Sequence, residues 1–287
     1  VYGWGFTVVV PQDGSLANRN THYLGFTGFQ NAFMLTGDEQ YIDVWRRQID
    51  KINSQGKMID GQMQYPSMFG DDGWYGFGPS KYNANALEIY YLGQQKEDYS
   101  RVAANAWLKY LAGDDPDYPM QAMAADLKHV RSQVLAIHAD KTTPDTRLSD
   151  DSMVNNPVAI RSLIHLMLGG IDPKHQGNVL FSNLRYFDPE QQRAGIPRDV
   201  AALVSRQNGT SLTLTLVNTN QLQPRRVTIQ SGGYAEHQFT ELKIGSMKVD
   251  INQTQFTLDL APGAGTTLDI SLKRFVNQPT MTHPWNR

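Results

Sequence analysis

Apolar side chains recur at three- and four-residue steps through the first 170 or so positions and at every second position after that, so the chain reads as helices followed by strands. Thr21 to Thr36 puts Leu24, Phe29 and Phe33 inward, which predicts a helix. Gly37-Asp38 opens a second, in which Tyr41, Trp45, Ile49 and Ile52 follow at spacings of 4, 4 and 3, the stripe of a helix packed on a core. Further helices are expected at about residues 81–93, 98–112, 119–139 and 157–169. In 119–139, Met120, Met123, Leu127, Val130, Val134 and Ile137 form a regular stripe; the last helix has Pro157 near its first turn and Gly169-Gly170 at its end. Beyond Gly177, Leu212, Leu214 and Leu216 alternate with Thr213, Thr215 and Val217. Val227 to Ile229, Phe256 to Leu260 and Leu268 to Leu272 continue the period-two pattern, with turns at Asn208-Gly209, Gly232-Gly233, Ile244-Gly245 and Pro262-Gly263.

The expected fold is therefore α+β and multidomain: helical hairpins over 1–172 and an antiparallel β-sandwich over 173–287, joined through the turn-rich stretch 169–177. A net charge of −2 gives no basic footprint for nucleic acid, and no segment approaches the roughly 18 apolar residues of a membrane span. The absence of cysteine excludes disulfides, a thiolate nucleophile and Cys-based metal sites. A charged content of 19%, with abundant Gln, Asn, Ser and Thr, suits a secreted or periplasmic bacterial protein. Val1-Tyr2-Gly3-Trp4-Gly5-Phe6 has no basic leader, which reads as the start of a processed fragment with a missing N-terminal segment or partner chain.

Residues 56–80 join two helices without helical periodicity, which predicts an ordered surface loop. There Asp60, Asp71 and Asp72 sit among Tyr65, Phe69, Trp74, Tyr75 and Phe77. Aromatic faces stack on sugar C–H faces while carboxylates bind hydroxyls, so the mixture fits a carbohydrate groove with Asp71 and Asp72 as candidate catalysts. The structural alternative is a small aromatic core with the Asp residues capping turns. A second cluster, Arg19-Asn20-Thr21-His22-Tyr23, stands where the first helix begins: Arg19 and Asn20 suit a substrate carboxylate and His22 and Tyr23 suit base and acid, a lyase-like set. Alternatively, Asn20 caps and Tyr23 is core. A third, Lys81 to Tyr91, offers Tyr82, Asn83 and Glu88, and Trp4 completes the candidate binding residues. No cofactor and no metal are expected, since HExxH, P-loop, GxSxG and strand-anchored GxGxxG patterns are lacking and the acidic runs 114–117 and 149–152 read as caps.

Helical hairpins with the Thr36-Gly37-Asp38-Glu39-Gln40-Tyr41 turn, an aromatic Asp-rich loop and terminal strands resemble the C-terminal half of bacterial enzymes with an (α/α) toroid and β-sheets. Heparinase II/III-like polysaccharide lyases and several (α/α)-barrel glycoside hydrolases share that organisation. The resemblance covers nearly all of the chain at the level of architecture and transfers no catalytic residue. It implies cleavage of glycosidic bonds by hydrolysis or β-elimination, in a toroid whose remaining helices come from elsewhere. A non-catalytic glycan-binding or structural subunit, and an (α/α)-barrel isomerase or dehydratase, are the competing expectations.

Overall fold

The computed structural model describes residues 6–9, 14, 16–19, 23–70, 73–146, 155–173 and 178–286. The chain is an α+β protein with antiparallel sheets, divided into two compact units. The first comprises residues 1–104, 173–179 and 275–280; the second comprises 105–172, 180–274 and 281–287. This division differs from the compositional boundary at 172/173.

The first unit opens with the hairpin β1 (Phe6–Val9) and β2 (Leu16–Arg19), then α1 (Tyr23–Thr36) and α2 (Gln40–Asn53). On α2, Trp45, Ile49 and Ile52 are buried as their spacing requires, but Tyr41 is only half-buried and Ile42 and Arg46 are buried instead. Phe26 and Phe29 of α1 meet the Trp45 ring edge-on at 5.0 and 5.7 Å, so aromatic packing fixes the helix pair. Residues 56–80 are not an irregular loop. They form two successive hairpins, β3 (Lys57–Ile59) with β4 (Gln62–Gln64) and β5 (Met68–Gly70) with β6 (Gly73–Tyr75), the second closed at its open end by a Tyr65–Gly78 bridge. For the first hairpin the physical reason is local turn chemistry: Asp60 and Gly61 both have positive φ (50° and 77°), the conformation that a tight two-residue hairpin turn needs. α3 (Ala86–Gly93) and the short α4 (Lys96–Tyr99) follow, so the helix expected from 98 is broken before it resumes in the second unit.

That unit begins with α5 (Ala106–Ala112), whose first turn is capped by Asn105 Oδ1 accepting from Leu108 N at 3.1 Å. The 22-residue α6 (Tyr118–Ala139) and α7 (Arg161–Leu163) come next, α7 running into a π-turn over Ile164–Leu168. No residue of α6 is buried. Strands β7 (Gly170–Ile171), β8 (Phe181–Ser182), β9 (Leu184–Asp188), β10 (Arg193–Ala194), β11 (Val200–Gln207) and β12 (Ser211–Asn218) precede β13 (Arg225–Ser231), β14 (Gln238–Ile244), β15 (Met247–Gln253), β16 (Gln255–Leu260) and β17 (Gly265–Lys273). They build a four-stranded sheet, β10-β9-β13-β16, and a five-stranded sheet, β11-β12-β17-β14-β15. Leu184, Val227, Ile229 and Leu260 of the first and Leu212, Leu214, Leu216 and Leu268 of the second enter one core. The alternation along β12 is the cause: its three leucines are at most 2% exposed, whereas Val217 faces water. α5 and the π-turn pack on β11, which is why these helices group with the sheets.

Candidate functional site

In the first unit a cavity of about 590 Å³ is lined by Asp50, Asn53 and Ser54 at the end of α2, by Ser80 to Asn83, by Glu97, and by Ser100 to Ala103. Asn53 fixes one wall: its Nδ2 donates to the Tyr82 carbonyl at 2.9 Å and its Oδ1 accepts from the Tyr82 amide at 2.8 Å. Both amide groups of Tyr82 are thereby satisfied by one side chain, and the segment leading into α3 is held without secondary structure.

The other wall rests on a charge network. Arg101 donates through Nε and Nη2 to the two oxygens of Asp50 (2.9 and 2.7 Å) and through Nη1 to Asp98 (2.8 Å). Asp98, fully buried, also receives Arg46 Nε and Nη2 at 3.0 and 2.7 Å. Arg46 in turn reaches Glu39 at 2.9 Å and Asp43 at 2.6 Å. Burial would lower the Arg46 pKa, but hydrogen bonds to Asp98, Asp43 and Glu39 outweigh it and hold it above its ordinary value. Hydrogen bonding from Arg101 holds the Asp50 carboxyl below the usual range, so Asp50 is an ionised acceptor and not a proton donor near neutral pH. Gly93 is part of the same arrangement: a Cβ there would lie 2.2 Å from Arg46 Nη2. Only glycine lets the guanidinium pass.

Tyr82 and Asn83, expected as ligand contacts, both line this cavity, Tyr82 half-buried and Asn83 exposed. Trp74 and Tyr75 are half-buried on β6, the Trp74 ring edge-on to Phe69 at 4.9 Å, and Asp60 is exposed in the β3–β4 turn. Glu88 is buried on α3 at 5% exposure. Arg19 ends β2 and Tyr23 begins α1. Trp4, Asn20, His22, Asp71 and Asp72 lie outside the described residues. Sequence reasoning missed Asp50, Asn53 and Arg101: Asp50 and Asn53 stand beside an unbroken inward stripe, and Arg101 is 51 positions from its partner Asp50, so no local signal marked them.

Two buried polar clusters occupy the second unit. His165, in the π-turn, stacks on Trp107 at 4.3 Å and 8°, and its Nδ1 is 3.0 Å from the Tyr118 hydroxyl. Its Nε2 is 3.9 Å from Asp172, which Arg161 holds at 3.1 Å. Burial pushes the His165 pKa down to about 4, so the ring is neutral at pH 7. In the turn before β14, the buried Glu236 carboxyl accepts from the amides of Gly233 (3.2 Å) and Tyr234 (2.7 Å), and burial raises its pKa to about 7. Among the described residues no three His, Asp or Glu side chains converge as metal ligands. No described helix is long and apolar enough to cross a membrane.

The geometry therefore defines an α+β protein with a polar cavity in its first unit. Over residues 102–164, from the chain before α5 to the start of the π-turn, it is similar to a family described as a domain of unknown function (DUF8034). No curated protein and no solved structure matches the chain.

Proposed function

We propose that this chain is the carbohydrate-handling part of a secreted or periplasmic carbohydrate-active enzyme, an (α/α) toroid with a terminal β-sandwich that cleaves glycosidic bonds by hydrolysis or β-elimination. The observation that carries the reading is the cavity: hydroxyl and amide groups from Ser80, Tyr82, Asn83 and Ser100 beside ion-paired Asp50 and Arg101, at a volume suited to a few sugar rings. The toroid part is supported by α6. Met120, Met123, Leu127, Val134 and Ile137 on one side of it are 38–77% exposed, a surface that fits helices of another segment or chain completing a ring. The low charge content supports an extracytoplasmic location.

One observation favours a non-catalytic binding subunit as the second reading: Asp50 is shifted toward the ionised form and tied to Arg101, which suits holding a ligand better than protonating one. Both readings meet in one experiment. A panel of polysaccharides is incubated with the chain and with Tyr82→Phe and Asn83→Ala, following reducing ends, unsaturated uronates and binding. Product lost in the variants supports the enzyme, and variant-sensitive binding without product supports the subunit. Neither binding nor product from any member refutes both.

A further inference from the structure

Four charged side chains line the cavity of the first unit, Asp50 and Glu97 against Lys81 and Arg101, so its formal charge is zero. The cations differ in what they can still offer. Arg101 has Nε and Nη2 committed to the two oxygens of Asp50 and Nη1 committed to buried Asp98. Recognition of a carboxylate, sulfate or phosphate by arginine relies on two parallel N–H groups presented as a fork. Here that fork already holds a carboxylate of the protein itself.

Lys81 is exposed, with its ammonium 5.9 Å from the centre of the Tyr65 ring. A solvated ammonium at a rim is a weak, salt-screened point charge. Asp50 is neutralised by Arg101, so Glu97 offsets Lys81 and the lining carries no net positive charge to compensate the loss of an anion's hydration. What remains is uncharged polarity from Ser80, Tyr82, Asn83 and Ser100, with Val102 and Ala103 as apolar surface.

We infer that this cavity takes a neutral, hydroxyl-rich sugar and not a uronate, a sulfated sugar or a sugar phosphate. The inference rests on the carbohydrate reading above and narrows it. β-Elimination removes a proton beside a carboxyl group, which stabilises the resulting carbanion, and a neutral glycan has no such group. The reaction class compatible with this ligand is hydrolysis: water delivers hydroxyl to the anomeric carbon and a proton to the departing oxygen as the C–O bond breaks.

The test is calorimetric titration of the full chain with two sets of oligosaccharides of equal length. The neutral set contains β-1,4-linked glucose, xylose, mannose and galactose; the anionic set contains galacturonate, alginate and sulfated galactan. The expected result is binding by a neutral member that Asn83→Ala weakens about five- to tenfold, as loss of a ligand hydrogen bond does. Lys81→Gln should change that affinity by less than about twofold, and a roughly tenfold rise in salt should leave it unaltered. Binding confined to the anionic set, salt-sensitive and lost in Lys81→Gln, overturns the charge inference while leaving a carbohydrate site in place. Neutral binding indifferent to both Asn83→Ala and Ser80→Ala overturns its assignment to this cavity. If no member of either set binds, the inference and the reading beneath it fail together.

Discussion

Replacing Asp98 with alanine is the sharpest perturbation of the first unit. The carboxylate is fully buried, and it accepts from Arg46 Nε and Nη2 and from Arg101 Nη1 at 2.7–3.0 Å. Each charge-assisted bond of this kind contributes about 1.5–3 kcal/mol, but the three share one acceptor group and do not add. The governing magnitude is the cost of leaving a buried cation uncompensated, about 3–5 kcal/mol when one partner of a buried pair is removed. Arg46 keeps Glu39 and Asp43, and Arg101 keeps Asp50, so the expected loss falls at the lower end, about 3 kcal/mol. Urea unfolding followed by circular dichroism reads it as a fall in midpoint at unchanged slope. In an Arg46→Met background the same substitution should cost at least about 1 kcal/mol less, because part of the loss is coupling between the two residues. A cost below about 1 kcal/mol in the wild-type background, or strict additivity in the double variant, would refute the network as described.

Gly93→Ala puts a Cβ 2.2 Å from an Arg46 Nη2 pinned by those ion pairs, so it should destabilise by about 1–3 kcal/mol, read by the same unfolding assay. Glu236 and His165 have opposite pH signatures. The folded-state pKa of Glu236 is raised from 4.5 to about 7, so the native state holds the extra proton and stability falls as pH rises across that window, by roughly 3 kcal/mol at most. His165 is lowered from 6.5 to about 4, so its contribution is present above 6.5 and is lost as pH falls toward 4. The two slopes oppose each other between about 4.5 and 6.5; Glu236→Gln should unmask a stability that rises with pH there, and a pH profile identical to wild type would count against the buried carboxyl. Leu214, fully buried, and Leu127, 49% exposed, should part company: Leu214→Ala costs about 2–5 kcal/mol and Leu127→Gln under about 0.5 in the isolated chain, by thermal unfolding.

Periodicity made most of the regular structure legible. Trp45, Ile49 and Ile52 of the α2 stripe and the leucines of β12 are buried, because burial of one face is what their spacing encodes. Where tertiary contacts or turn geometry decide, the same reading runs out. Residues 57–75 lack a run long enough to announce strands, and the β3–β4 hairpin depends on positive φ at Asp60 and Gly61. α6 shows the converse: its stripe is present in sequence, yet the stripe faces solvent, since periodicity says which face is apolar and not what covers it. In the cavity, Tyr82 and Asn83 were visible as a polar cluster at a helix start. Asp50 and Arg101 are 51 positions apart, and Arg46 and Asp98 are 52 apart, so no local pattern could join them.

The central claim is that the cavity bounded by Asn53, Tyr82 and Arg101 binds a sugar. Amide chemical-shift mapping of the labelled chain during titration with the neutral oligosaccharides tests it most directly. The account predicts saturable shifts concentrated at Ser80 to Asn83 and Ser100 to Ala103, reduced in Asn83→Ala. Shifts confined to the β-strands of the second unit or to the hairpins over 57–75, with the cavity silent, would contradict it.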